Sequence, residues 1–164
     1  MNEQERMQRN TDRLQQLYPR FGQQIKRVLQ TLEASGLRPR IQDAWRSPTQ
    51  QLHAFQSGFS KLKYGFHNVT GTGGRPEALA ADLLDDDSPL KPSSAFLLQL
   101  AAAAEQTGLQ SGIRWGLPAA LAHGIDKAIA AHDWQAPVKV GWDPTHVETR
   151  DITVAEAYSG QRPV

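Results

Sequence analysis

The sequence predicts an α+β domain, a small and mostly antiparallel sheet flanked by helices, on three observations. Helical and extended patterns follow one another irregularly, with no repeating strand–helix–strand unit. Leu14, Leu17, Phe21, Ile25, Val28, Leu29 and Leu32 recur at three- and four-residue steps, the stripe of an amphipathic helix. A compact apolar run, Ala78 to Leu84, has the length of a buried strand.

The remaining elements are read in chain order. Residues 1–12 are polar and charged and read as a loosely held lead-in. Within the stripe Pro19 suits a break or a first helical turn, and Gly36 a stop. Arg38 to Trp45 is short and extended, with Ile41 and Ala44 pointing inward. Ser47-Pro48-Thr49-Gln50 has the form of a helix start, Ser47 capping and Gln50 three residues on, and that helix runs through Leu52 and Phe55 to Gly58. The stretch Gly71-Thr72-Gly73-Gly74-Arg75-Pro76 reads as a loop. Ser93 or Ser94 caps a helix through Phe96, Leu97, Leu100 and the alanines, ending at Gly108. Gly112 to Trp115 and Val138 to Trp142 read as strands, Pro118 to about Ala131 as the helix between them, and 151–164 as a tail. The whole of 1–164 is expected to form a single domain.

Composition narrows the function classes. A formal net charge of +1 provides no strong field for a polyanion, which disfavours nucleic-acid binding. Cysteine is absent, which removes thiolate nucleophiles, disulfides and Cys-based zinc knuckles, so any metal must sit on histidine and carboxylate. The polar N-terminus carries no apolar run of signal-peptide length, and no segment is long enough to span a bilayer. Synthesis in the cytoplasm is therefore expected.

Three stretches place metal-capable residues beside strands or loops: Gly65-Phe66-His67, Ala80-Ala81-Asp82-Leu83, and Trp142-Asp143-Pro144-Thr145-His146-Val147-Glu148. Asp82 lies in an apolar run, and a buried carboxylate needs a metal, a cation or N–H donors; it also suits a turn acid at the end of a strand. Asp143 and His146 flank Pro144, which points to a turn or bulged strand edge that either aims both side chains into one cleft or is capped by Asp143. His53, His123 and His132 read as structural or solvated. The helix motif H-E-x-x-H is absent, which excludes that class of zinc protease.

Taken together these stretches resemble the zinc peptidases of the D-alanyl-D-alanine carboxypeptidase family, which includes VanX- and VanY-type enzymes and phage L-alanyl-D-glutamate endopeptidases, with the endolysin branch most similar. The resemblance covers about Leu14 to Glu148: Trp45-Arg46-Ser47 after a strand, Gln50 or Gln51, Leu52 and Gly58 on the next helix, a His, an Ala-x-Asp segment, and Asp-x-x-His followed by an apolar residue and Glu. It implies a Hedgehog-like peptidase fold, one zinc ion held by His67, Asp82 and His146, Asp143 as general base and Arg46 as oxyanion and substrate ligand. Glu148 is expected to orient a metal-bound histidine. The family spacing from first His to Asp is seven; here Asn68 to Ala81 intervene, read as an insertion, with Asp85, Asp86 and Asp87 as fallback ligands in a solvated acidic loop. Gly65 stands where a serine is often found, and Ser60 is a candidate substrate contact.

The resemblance further implies hydrolysis of peptidoglycan stem peptides, by an endopeptidase cutting L-Ala–D-Glu or a cross-link. The alternatives are a carboxypeptidase removing terminal D-Ala, or a non-catalytic zinc-stabilised binding module of the same fold. A monomer is expected, acting on the cell wall after release, with a phage holin or an injection machine delivering it.

Overall fold

The computed structural model describes residues 1–164. Its helices are α1 (Glu3–Leu14), α2 (Pro19–Ala34), α3 (Pro48–Gln56), α4 (Ser94–Gln106), α5 (Ala119–Ala131) and α6 (Val154–Tyr158). Its strands are β1 (Pro39–Asp43), β2 (Ala80–Asp85), β3 (Leu109–Gly112) and β4 (Asp143–Thr149), in one sheet of order β1-β2-β4-β3. Every pairing is antiparallel. The α+β architecture expected from the sequence is the one observed.

The stripe from Leu17 to Leu32 becomes the buried face of α2, with Pro19 in its first turn. Gly36 closes it at φ +79°, a left-handed conformation that favours glycine. Helix α4 packs against α2, α5, β3 and β4, and its phenylalanine, leucines and alanines are buried along most of its length. Phe96, Leu98 and Leu100 join Ile41, Leu79, Leu83, Ile113 and Val147 in one core. Ser47 and Gln50 form the expected reciprocal cap on α3, and Ser93 caps α4.

Four local expectations change. Residues 3–14 are not a loose lead-in but helix α1, capped reciprocally by Asn2 and Glu5 and docked on β1. The docking is polar: buried Asn10 accepts from the Ile41 N–H at 2.8 Å and donates to the Pro39 carbonyl at 3.1 Å, while buried Arg6 donates to the same carbonyl. A strand lies at 109–112, before the expected 112–115; Gly112 ends it, and Ile113 to Gly116 make a turn. Val138 to Trp142 is a loop whose valines pack half-buried on the core. The last strand begins at Asp143, with an irregular register opposite Ser111 and Gly112. That irregularity accommodates Pro144, which takes part in neither ladder.

The stretch Gly71 to Pro76 contains one short 3-10 turn, Thr72–Gly74. It is held by Glu77, whose carboxylate accepts from Arg75 at 2.6 Å and from Arg162 at 2.8 Å. Arg162 also donates to the Thr70 carbonyl at 3.1 Å, so residues 151–164 clasp the insertion rather than trail from the domain. No helix is long and apolar enough to cross a membrane.

Candidate metal centre and active site

The sheet register assembles the site. Asp82 pairs with His146 across β2 and β4, and with Asp43 across β1 and β2. Strand alternation then places Asp82, His146 and Glu148 on one face, while Ala81, Leu83 and Val147 turn into the core. His67 comes from the short 3-10 turn Phe66–Asn68. That turn is fastened by Asn68, which accepts from the Gly65 N–H at 2.8 Å and donates to the Arg46 carbonyl at 3.0 Å. The Arg46 N–H in turn donates to the His67 carbonyl at 2.9 Å.

Three ligand atoms converge. His67 Nε2 lies 3.3 Å from His146 Nδ1, His146 Nδ1 lies 3.1 Å from Asp82 Oδ1, and His67 Nε2 lies 3.5 Å from Asp82 Oδ1. Tetrahedral bonds of about 2.0–2.2 Å to zinc would separate ligand atoms by about 3.3–3.6 Å. The triangle fits such an ion. The outward nitrogens are already committed: His67 Nδ1 meets the Ala44 carbonyl at 2.5 Å, and His146 Nε2 meets Glu148 Oε2 at 2.9 Å. Each contact leaves the inward nitrogen as a lone-pair donor, the arrangement a metal-ligating imidazole needs. Glu148 is backed by Gln110, whose amide donates to Oε1 at 2.8 Å.

Charge around the triangle is arranged by contact. Burial pushes the Asp82 carboxyl up, but His67 and His146 outweigh it and hold it well below the usual range. Burial alone would lower His146, whereas its bonds to Asp82 and Glu148 push it up to about 10 in the metal-free protein. Burial raises Asp143, helped by the Asp82 charge and opposed by His146, His67 and Arg46. Arg46 is oriented by two carboxylates, Nε on Asp43 at 2.5 Å and Nη2 on Asp82 at 3.1 Å.

Arg46, His67, Asp82, Asp143, His146 and Glu148 line one cleft of about 180 Å³, together with Ser60, Lys61, Trp115 and Trp142. The backbone approach that builds its wall requires glycine. A Cβ on Gly112 would strike the Asp143 carbonyl, and one on Gly141 would lie within 2.6 Å of Trp115 backbone atoms. Trp115 then lies between His146 and Trp142, its ring tilted by 45° and 42° to theirs at separations of 5.2 and 5.3 Å.

The sequence-derived residues thus divide. His67, Asp82, His146, Asp143, Arg46 and Glu148 are brought together. Ser60 lines the cleft, but its hydroxyl already accepts from Gln51 and donates to the Leu62 carbonyl. The glycine-rich insertion contributes no residue to the cleft wall. The fallback acids are elsewhere: Asp85 and Asp86 are buried rather than solvated, and Asp86 takes Arg38 and Arg40, both at 3.0 Å. His53, His123 and His132 are exposed away from the site. Asp43, Gln110, Trp115 and Lys61 were not singled out from the sequence; of these only Asp43 carried a local signal, three residues before Arg46.

Neither a protein-family model nor a curated protein sequence matches the chain. Solved structures do. The fold is similar to that of the L-Ala D-Glu endopeptidase ChiX of Serratia marcescens, with TM-score 0.57 and 14% identity, covering 86% of each chain. A second similar structure is a mutant of the vancomycin-resistance D,D-pentapeptidase VanY from a VanB-type cassette, in complex with Zn(II); its TM-score is 0.45 and identity 12%, covering 85% of this chain and 75% of that one. At such identities the likeness is one of architecture: the chain has the α+β fold of the peptidase ChiX.

Proposed function

We propose that the chain is a zinc-dependent peptidase hydrolysing peptidoglycan stem peptides, an endopeptidase acting at L-Ala–D-Glu or a cross-link. The observation that carries the reading is the His67–Asp82–His146 triangle, whose ligand atoms lie within 4.8 Å of one another in a cleft shared with Asp143 and Arg46. The peptide class is supported by the endopeptidase activity named for the similarly folded ChiX.

Zinc held by these three residues would polarise the scissile carbonyl and make water nucleophilic near neutral pH. The protein's own groups complete the chemistry. Asp143, half-buried and unpaired, takes the proton of the attacking water and hands it to the amine as the C–N bond breaks. Arg46 has Nε and Nη2 held by Asp43 and Asp82, and Nη1, which donates to Gln51 Oε1 at 3.5 Å, has its second N–H for the oxygen that gains charge. Ser60, tied to Gln51 and Leu62, shapes the lip over which the substrate enters. A cell-wall lytic role, after release through a holin or delivery by an injection machine, belongs to the same reading, as does a monomeric state.

Metal analysis with a muropeptide cleavage assay tests it. Wild type should carry one zinc per chain and release cleaved stem peptides, and the new termini distinguish an endopeptidase from a carboxypeptidase removing D-Ala. Full zinc occupancy without cleavage would leave a zinc-stabilised binding module and end the enzyme reading.

A further inference from the structure

We propose that Lys61 and Trp142 form a carboxylate subsite at the mouth of the cleft, one that selects peptides carrying a free carboxylate close to the scissile bond. The inference rests on the peptidase reading above and names what that site prefers.

Lys61 is the cleft's uncommitted cation. It makes no ion pair and no hydrogen bond, although Asp82, Asp143 and Glu148 line the same cleft. Arg46, the other cation there, is oriented inward by Asp43, Asp82 and Gln51. The Lys61 ammonium instead rests over the Trp142 ring, 4.2 Å from its centroid. A ring face attracts the charge but uses none of the three N–H donors, so the donors remain for a ligand anion.

Both partners are held. Trp142 is followed directly by Asp143, donates its backbone N–H to the Trp115 carbonyl at 3.1 Å, and lies against Gly116, where a Cβ would come within 2.9 Å of its ring. The lip bearing Lys61 is pinned by Gln51, which donates to Ser60 at 2.8 Å and to the Leu62 carbonyl at 2.7 Å.

The subsite's reach follows from the ring contacts. Steps of 5.2, 5.3 and 4.2 Å lead from His146 through Trp115 and Trp142 to the ammonium. That places it within about four residues of extended peptide from the metal ligands. Two carboxylates of a stem peptide fall in this range: the free carboxyl of an internal glutamate, and the C-terminal carboxylate.

Three peptides separate them: L-Ala–γ-D-Glu–L-Lys with both carboxylates free, with the glutamate carboxylate amidated, and with the C-terminus amidated. Binding to zinc-loaded Asp143→Asn protein is measured by calorimetry, and KM on the wild-type background by cleavage. The free peptide should bind about two- to fivefold more tightly than one amidated form, and that form identifies the carboxylate used. Lys61→Met should erase this preference, and Lys61→Arg should keep it. Preference surviving in Lys61→Met, equal weakening of all three peptides, or equal binding of all three by wild type would each overturn the subsite while leaving the peptidase reading standing. Failure of the protein to bind any of them would also overturn the subsite, while failure to cleave intact muropeptides would overturn the peptidase reading.

Discussion

Replacing Asp143 by asparagine is the perturbation whose consequences differ most sharply with and without the metal. Asp143 is isosteric with asparagine, is not one of the converging ligands, and faces Gly112 across a backbone contact that the substitution leaves alone. Zinc stoichiometry should therefore be unchanged. Loss of a positioned proton acceptor typically costs about 10²- to 10⁴-fold, so kcat should fall by that factor with KM shifted far less. The base works only when ionised, so wild-type kcat/KM should fall at acid pH as Asp143 takes up its proton, a limb that Asp143→Asn should lose.

Stability should move the other way. A carboxyl whose folded pKa is raised loses stability as pH rises from the unfolded value through the folded one, so at neutral pH its charge disfavours the metal-free fold. Asp143→Asn removes that charge and should raise the melting temperature in EDTA, each kcal/mol relieved being worth about 2–4 °C at this chain length. Steady-state cleavage and paired thermal melts measure both effects. A zinc-loaded variant that keeps kcat within tenfold of wild type, or an apo variant that melts lower, would refute the assignment of Asp143 as a buried base.

Two further expectations concern the supports. Glu148→Gln removes the charge behind His146 and should weaken zinc affinity about 10-fold or more, measured by chelator competition; unchanged affinity would show that the Gln110–Glu148–His146 chain does not tune the metal. Asn10→Leu leaves the Ile41 N–H and Pro39 carbonyl without that partner and should cost about 3 kcal/mol, read from urea denaturation, with specific activity per folded molecule preserved.

The parts legible in the sequence are those built by apolar periodicity or by caps. The Phe21-to-Leu32 stripe, the Ser47 and Ser93 caps and the apolar run holding Asp82 each carry a local signal of their element. Helix α1 carried the Asn2–Glu5 cap but no apolar stripe, because the residues it buries are Arg6 and Asn10, satisfied by a strand some thirty positions on. Of strand β4 only the bulged edge at Asp143 to His146 was legible, because one of its faces lines the candidate site: of Asp143 to Thr149 only Val147 enters the hydrophobic core. The valines of 138–142 imitate a strand yet serve as a loop that seats Trp142. Among the site residues, His67, Asp82, Asp143 and His146 stand in a recognisable order. Gln110, Trp115 and Lys61 enter only through register and ring packing, which a linear pattern does not encode.

Glu77 and its partner Arg162 bear on how such a site evolves. Asp82 owes its place to the pairing with His146, and His67 owes its place to the Asn68 turn, so the chain between them is free to change length without moving either donor. The clasp holds the glycine-rich loop on the flank away from the cleft. Metal spacing and loop length thereby become separately heritable. A lineage with this architecture can lengthen, shorten or decorate that loop while the triangle of ligands stays the same.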